Sequence, residues 1–458
     1  MELGFQNVYK EEVFWESFDQ WVVRGGAETA YVDTDAGQQW SRDDLARLVE
    51  NAGDRIGGCA GSLLAVHLPN GPDFVAYVLA AWRQGSSVLP IDGDMDVTSA
   101  DKLCEKLGAE ARIDADGIWP CEVAGAFVTG PALIKLTSGS TGAPRGVHLS
   151  LDALGRGVEQ IAETMQIGSA DRTLLTLPLS HSYGFDNATL MLARFGAPII
   201  AARDLTPTRL CRVFREQEPT VWPAIPFMLD VMSRSRGVNA ADLASLRLVI
   251  SAGAPLPAAT RRQFAERFGI TPRTFYGSTE CGGITFDRAG HDDFPEGAVG
   301  TPLVGVEVTL EEAEAGGVGR VRVSSPAVGS TYLPAPSDEL SGGSFLTADL
   351  GRLDELGQLI LLGRASDVVN VGARKVYPAE IESVIRQLEG VEDVVVVAAD
   401  RETASESLRA ILVGARVTAR AVQGFCEANL PAWKVPKRIE FRKALPRNVR
   451  GKLDRRRL

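Results

Sequence analysis

A chain of 458 residues is too long for one ordinary hydrophobic core, and its 45% hydrophobic content is ample for two or three domains. The formal net charge of -11 suits a soluble protein and argues against bulk attraction to DNA or anionic membranes, so any bound anion must meet a local basic site. Six cysteines (Cys59, Cys104, Cys121, Cys211, Cys281 and Cys426) show no metal-type pairing or short-spaced framework and read as reduced core residues.

The opening MELGFQNVYKEEVFW has neither a basic leader nor an apolar signal core, and no run approaches the roughly 18 apolar residues of a membrane span, so a cytoplasmic location is expected. Residues 14–23 carry helical spacing, and Ser41 caps a helix through Asp44, Leu45, Leu48 and Val49. A strand at 62–68, an apolar helical face at 73–84 and a strand at 88–91 form a βαβ unit, which predicts a largely parallel sheet covered on both faces. A further helix at 98–107 and strand at 111–113 follow.

Residues 132–136 then read as a buried strand that feeds directly into Thr137, Ser138, Gly139, Ser140, Thr141 and Gly142. Glycines let a backbone turn sharply against a ligand, and hydroxyls and exposed N–H groups can ring phosphate oxygens. Arg145 supplies a fixed charge, with Gly146 beside it. A Walker A loop would end in Lys and then Ser or Thr. Here Pro144 and Gly146 bracket the single basic residue, 147–149 continue extended, and Ser150 is placed to cap the next helix. A polar interdomain linker is the plain alternative, but linkers seldom join an apolar strand to a capped amphipathic helix without a break.

TSGSTGAPRG resembles the phosphate loop of the adenylate-forming superfamily, which includes acyl-CoA synthetases, adenylation domains of nonribosomal peptide synthetases and firefly luciferase. That family usually has Lys where this chain has Arg145, and arginine keeps the charge while offering a planar fork.

Beyond the loop, 151–165 reads as a helix and 173–177 as a strand leading into PLSHSYGF. A histidine beside aromatics is commonly a packed or surface residue. The resemblance makes His181 a gate or wall between the ATP site and the acid pocket, while Tyr183 and Phe185 are alternative pocket linings. Asp186 reads either as a solvated or capping carboxylate or as a partner for a substrate amine. Strands are expected at 198–202, 220–225 and 246–251, with a helix at 226–233. By resemblance the AGAPLP turn lines both pocket and adenine site through Ala252, Gly253 and Ala254. Its plain reading is a tight turn.

TFYGSTECGG, residues 274–283, resembles the family's YGxTE segment. Tyr276 offers a flat face for adenine and Glu280 a hard oxygen for Mg2+, with Gly277 and Thr279 in the same nucleotide-binding turn. Residues 297–362 break into short runs separated by Gly, Pro and Asp, which predicts a small β-barrel or sandwich. Within them FLTADLG resembles the family's TGD segment with Ala348 replacing Gly, and implies that Asp349 accepts from both ribose hydroxyls. Arg364 is matched to a ribose or phosphate contact. Ser366 and Asp367 stand where the family carries an acidic or lysine hinge, and either of them can be the hinge.

Helices at 378–388 and 419–430 and strands at 394–398 and 410–413 suffice for a small α+β domain. The closing LPRNVRGKLDRRRL is basic enough to suggest a nucleic-acid tail, against which stands the overall acidity. It also resembles the family's terminal PRxxxGKxxRxxL segment, a match that makes Lys452 the catalytic lysine.

The resemblance thus implies a multidomain α/β fold. A large N-terminal domain, 1–364, of parallel-rich α/β sheets plus a small β-barrel binds ATP and acid. A small mobile C-terminal α+β domain, 365–458, carries Lys452, and no carrier-protein domain follows. The implied reaction makes an acyl-adenylate from ATP, with Mg2+, and passes the acyl group to CoA. A stand-alone enzyme that loads a carrier-protein phosphopantetheine or an amine is the alternative, and a non-catalytic nucleotide sensor the reading from another class. The pocket set His181, Phe185, Trp222, Phe227 and Ala252 is mainly apolar or aromatic, which favours an aryl or medium-chain acid over an amino acid. Amino-acid-activating relatives use an Asp near the position of Ser182, which cannot hold an ammonium in the same way.

Overall fold

A computed structural model describes residues 12–122, 130, 132–137, 144–290, 294–295, 297–313, 316–371, 374–399, 407–446, 453 and 457–458. Most predicted elements are present within a residue or two of the expected bounds. The Ser41 cap of helix Arg42–Ile56 is a full capping box, because Ser41 Oγ accepts from the Asp44 N–H while Asp44 accepts from the Ser41 N–H.

Two sheets dominate. In the seven-stranded one, Ala132–Thr137, Ser87–Asp92, Leu63–Leu68 and Ala111–Ile113 run parallel, and Arg145–Ser150 and then Thr331–Leu333 add antiparallel beside Ala132–Thr137. The nine-stranded sheet has a parallel centre of Arg273–Ser278, Leu248–Ser251, Val221–Ala224, Thr173–Leu175, Ile199–Ala201 and Thr29–Asp33. These strands read as continuous apolar runs because both of their faces are covered.

Helix Pro72–Arg83 is buried over nearly its whole length, and its Trp82 donates from Nε1 to the carbonyl of Ala132, 2.9 Å away. Buried residues of both sheets, of this helix and of Leu151–Met165 join a single apolar core. Such a helix, apolar all round, is stable only between layers.

The region expected as a small β unit is a five-stranded antiparallel sheet containing Glu307–Glu311, Gly319–Ser324, Ser344–Leu353 and Leu359–Arg364. From Val369 onward the chain has an apolar core of its own, built on helices Pro378–Arg386 and Ala419–Asn429 and a three-stranded sheet.

Helices Pro207–Gln217 and Ala258–Phe268 and the run that begins at Ser182 were not expected from the sequence. The last continues through a π-helical stretch, Phe185–Leu190, into Met191–Phe195. No helix among the described residues is long and apolar enough to cross a membrane. All six cysteines are free thiols.

Candidate active site

Strands Ala132–Thr137 and Arg145–Ser150 pair as a hairpin whose last rung is Thr137 opposite Arg145. The glycine and hydroxyl loop is the sequence between these two strands. Ser138, Gly139, Ser140, Thr141 and Gly142 themselves lie outside the described residues. At this last rung, Thr137 Oγ1 and Arg145 Nε are buried without a hydrogen-bond partner among the described residues. Buried polar groups are normally satisfied, so two orphans flanking a loop of this composition fit an anion that completes them. Gly146 packs where a Cβ would lie 2.6 Å from Ile134 Cγ2. Ser150 caps the following helix as expected.

The Arg145 guanidinium stacks on the Tyr332 ring, with Cζ 4.0 Å from the centroid. Tyr332 in turn donates from its hydroxyl to Glu280 Oε1 at 3.0 Å. Magnesium is typically held by one or two carboxylates together with phosphate oxygens and waters. No group of three or more metal-ligating side chains occurs among the described residues. Glu280 therefore suits an ion shared with a bound phosphate rather than a dedicated protein cage.

Tyr276 and Gly277 lie at the end of strand Arg273–Ser278, and Thr279 and Glu280 form the turn that follows it. Tyr276 donates to Asp349 Oδ2 at 2.6 Å, and Asp349 Oδ1 lies 3.8 Å from Arg364 Nε. Adjacent antiparallel strands hold Asp349 and Arg364 directly opposite each other. Burial, and next the Asp349 carboxylate, push the Tyr276 phenol well above its usual range, so it stays a neutral donor. Ala348 is exposed and does not adopt a positive φ, so it replaces the expected glycine without strain.

Beside this turn lies the helix that begins at Ser182. Ser182 Oγ donates to Thr279 Oγ1 at 3.3 Å, and His181 Nε2 stands 3.5 Å from Asp92 Oδ2, at the end of strand Ser87–Asp92. Tyr183 shares its O–H between the carbonyls of Ala224 and Ile250, 3.3 and 3.1 Å away, across the ends of two parallel strands. Ala252 follows the second of these strands, and Gly253 turns the chain with φ of +83°, a conformation that favours glycine. The site thus forms at the carboxyl ends of parallel strands, where α/β folds generally bind ligands.

Two expected pocket residues sit elsewhere. Phe185, 1% exposed, packs edge-on against Phe74 and Trp82. Trp222 is fully buried, donates to Thr176 Oγ1 at 3.1 Å and packs on Phe214. Both are core. Phe227 is 70% exposed at the start of helix Pro226–Arg234.

Asp186 is neither solvated nor open to a substrate amine, because it is buried against Lys135. Lys135, a cation inside an otherwise apolar strand, is the sequence signal for this buried pair. Tyr332 and Asp92 gave no such signal. Ser366 and Asp367 lie in a single 3-10 turn, Ala365–Asp367, with Ser366 exposed. Lys452 lies outside the described residues.

The sequence pattern of the family described as AMP-binding enzyme matches residues 119–333, and that of the AMP-binding enzyme C-terminal domain matches 380–452. A long-chain-fatty-acid–CoA ligase of Bacillus subtilis is 27% identical over 71% of this chain and 61% of its own length. A malonate–CoA ligase of Arabidopsis thaliana is 30% identical over 74% of this chain and 62% of its own. The chain therefore spans less than two thirds of the length of these relatives. Among solved structures, ATP-bound MatB from Rhodopseudomonas palustris superposes with a TM-score of 0.86 over 97% of each chain, at 24% identity. That likeness establishes a shared fold.

Proposed function

Because the chain belongs to the family of AMP-binding enzymes, we propose that it activates a carboxylic acid with ATP and transfers the acyl group to the thiol of CoA. In the first half a carboxylate oxygen attacks the α-phosphorus, the bond to the bridging oxygen of the β-phosphate breaks, and pyrophosphate leaves with that electron pair. In the second half the thiol loses its proton, its sulfur attacks the acyl carbon of the adenylate, and AMP leaves.

One observation carries this reading: two polar clusters are joined through the end of strand Arg273–Ser278 and the turn that follows it. Arg145 reaches Glu280 through Tyr332, and Tyr276, on the strand that leads into the Glu280 turn, reaches Asp349 beside Arg364. A nucleotide laid along that turn meets a cation and a carboxylate at its phosphate end and a hydroxyl acceptor at its ribose end. Mg2+, when bound at Glu280, supplies neutralisation of phosphate charge.

The chain's own residues bind and orient. Thr137 and Arg145, with Ser138 to Gly142, hold the β- and γ-phosphates, Asp349 and Arg364 fix the ribose, and Lys452 bridges the substrate carboxylate and the α-phosphate. Such help is positional and electrostatic, and loss of one charged contact of this kind typically costs about 100-fold in rate. We take 1–364 as the domain that holds ATP and acid, and 365–458 as the domain that rotates about Ser366 and Asp367 between the two halves.

The acid we propose is an aryl or medium-chain one, lodged near His181, Ala252 and Phe227. Of the two positions considered for a substrate ammonium, Asp186 is engaged by Lys135 and Ser182 offers only a hydroxyl. Pyrophosphate release from Mg·ATP with a panel of aryl, fatty and amino acids, run beside Lys452→Ala, tests the proposal. Release with one acid class that is lost in the variant supports it. Nucleotide binding without release for any acid would instead favour a nucleotide sensor.

A further inference from the structure

We infer that Tyr332 is a positioning residue that ties the fixed cation of the phosphate loop to the carboxylate that takes Mg2+; this rests on the adenylation reading above. Nothing in the sequence motifs points to it, because it lies 52 residues along the chain from Glu280 and further still from Arg145.

The geometry is two-sided. The ring face of Tyr332 carries the Arg145 guanidinium at 4.0 Å, and its hydroxyl donates to Glu280 Oε1 at 3.0 Å. A planar guanidinium can lie flat on a ring and still present edge N–H groups to phosphate oxygens, which the point charge of a lysine cannot do. The departure from the family pattern at Arg145 thus acquires a partner. On the other side, one donor on Oε1 fixes the plane of the carboxylate and leaves its second oxygen for a cation.

The backbone holds this bridge in register. Tyr332 pairs opposite Val147 in the strand that Arg145 begins, the Ser330 N–H donates to the carbonyl of His148 at 2.9 Å, and the Gly329 N–H donates to the carbonyl of Glu280 at 2.7 Å. A Cβ at Gly329 would lie 2.7 Å from Val147 Cγ1 and 2.9 Å from the His148 oxygen, so only glycine allows this approach. One short segment therefore clips the loop hairpin to the Glu280 turn by main chain and by side chain together.

Simple ring packing would make the same residue buried but would not need its hydroxyl. The test is binding of α,β-methylene-ATP, which cannot release pyrophosphate, measured calorimetrically over a series of Mg2+ concentrations. Tyr332→Phe keeps the stack and loses the donor. It should raise the Mg2+ concentration for half-maximal binding about 10- to 100-fold, the usual cost of removing a partner from a metal-ligating carboxylate. Its metal-free affinity for the analogue should stay within about twofold of wild type, because the stack on Arg145 survives.

Tyr332→Leu removes both contacts and should also weaken metal-free binding about threefold or more. If the leucine variant does not fold, the phenylalanine variant decides alone. Unchanged Mg2+ dependence in Tyr332→Phe, with wild type binding the analogue, overturns the role of Tyr332 and leaves adenylation standing. Failure of the wild-type protein to bind the analogue at any Mg2+ concentration overturns adenylation, and this inference with it.

Discussion

Lys135 Nζ lies 2.5 Å from Asp186 Oδ1, and the two side chains are 3% and 9% exposed. The pair joins the strand that ends at Thr137 to the π-helical stretch that follows His181 and Ser182. Burial pushes the Asp186 carboxyl up, and the Lys135 ammonium beside it works in the opposite direction. Such a pair need not add stability, yet removing one partner strands a charge in the core.

Either Lys135→Met or Asp186→Leu alone should therefore cost about 3–5 kcal/mol, whereas the double variant should regain most of it. Denaturant midpoints of the three proteins check this. Additive losses would show that the two side chains do not act as a pair.

Asp349 accepts from Tyr276 at 2.6 Å and faces Arg364, and under the proposed function it accepts from the ribose hydroxyls. Wild type should prefer ATP over 2′-deoxy-ATP by about tenfold or more in kcat/KM, the worth of a hydrogen bond to a charged group. Asp349→Ala should slow ATP turnover and erase that preference together. A preference that survives the substitution would place the ribose contact elsewhere.

Ser366 is exposed in a single 3-10 turn between strand Leu359–Arg364 and the apolar core that starts at Val369. Fixing its φ with proline restricts a turn that must change shape if the domains rotate. Ser366→Pro should depress thioester formation more than pyrophosphate release. Equal losses in the two half-reactions would count against a hinge here.

Away from the site, Asp171 accepts from Arg247 Nε and Nη2 at 2.7 and 2.6 Å, from Thr220 Oγ1 at 2.7 Å and from the Gly168 N–H at 3.0 Å. Burial alone would raise its pKa, but Arg247, Thr220 and Gly168 outweigh it and hold the carboxyl below the usual range. A depressed carboxylate pKa stabilises the fold above the unfolded value near 3.9, and that stability is lost as pH falls through the folded value. Asp171→Asn should cost about 2 kcal/mol near pH 7, and its deficit should close as pH drops below about 4. Urea midpoints across that range check the sign.

The strand that enters the glycine and hydroxyl loop, the strand positions around it and the cap at Ser150 were legible in the sequence, because each is local. A buried strand needs an apolar run, a sharp turn needs Gly and small hydroxyls, and a helix start needs a cap such as Ser150. Such features are encoded by neighbouring residues and survive without knowledge of the rest of the chain.

The partners of those segments were not legible. Tyr332 meets Glu280 across 52 residues and Asp186 meets Lys135 across 51, distances over which only the assembled sheets decide who touches whom. Phe185 makes the same point in reverse. Its place beside His181 suggested a pocket wall, but it opens a π-helical stretch, whose wider turn rotates the side chains away from simple helical spacing, and it faces Phe74 and Trp82 in the core. Sequence alone determined where the strands, helices and caps fall, since loop and strand propensities are set locally. Which side chains complete the site and which fill the core was decided only by tertiary packing, because direction and long-range contact are properties of the assembled layers.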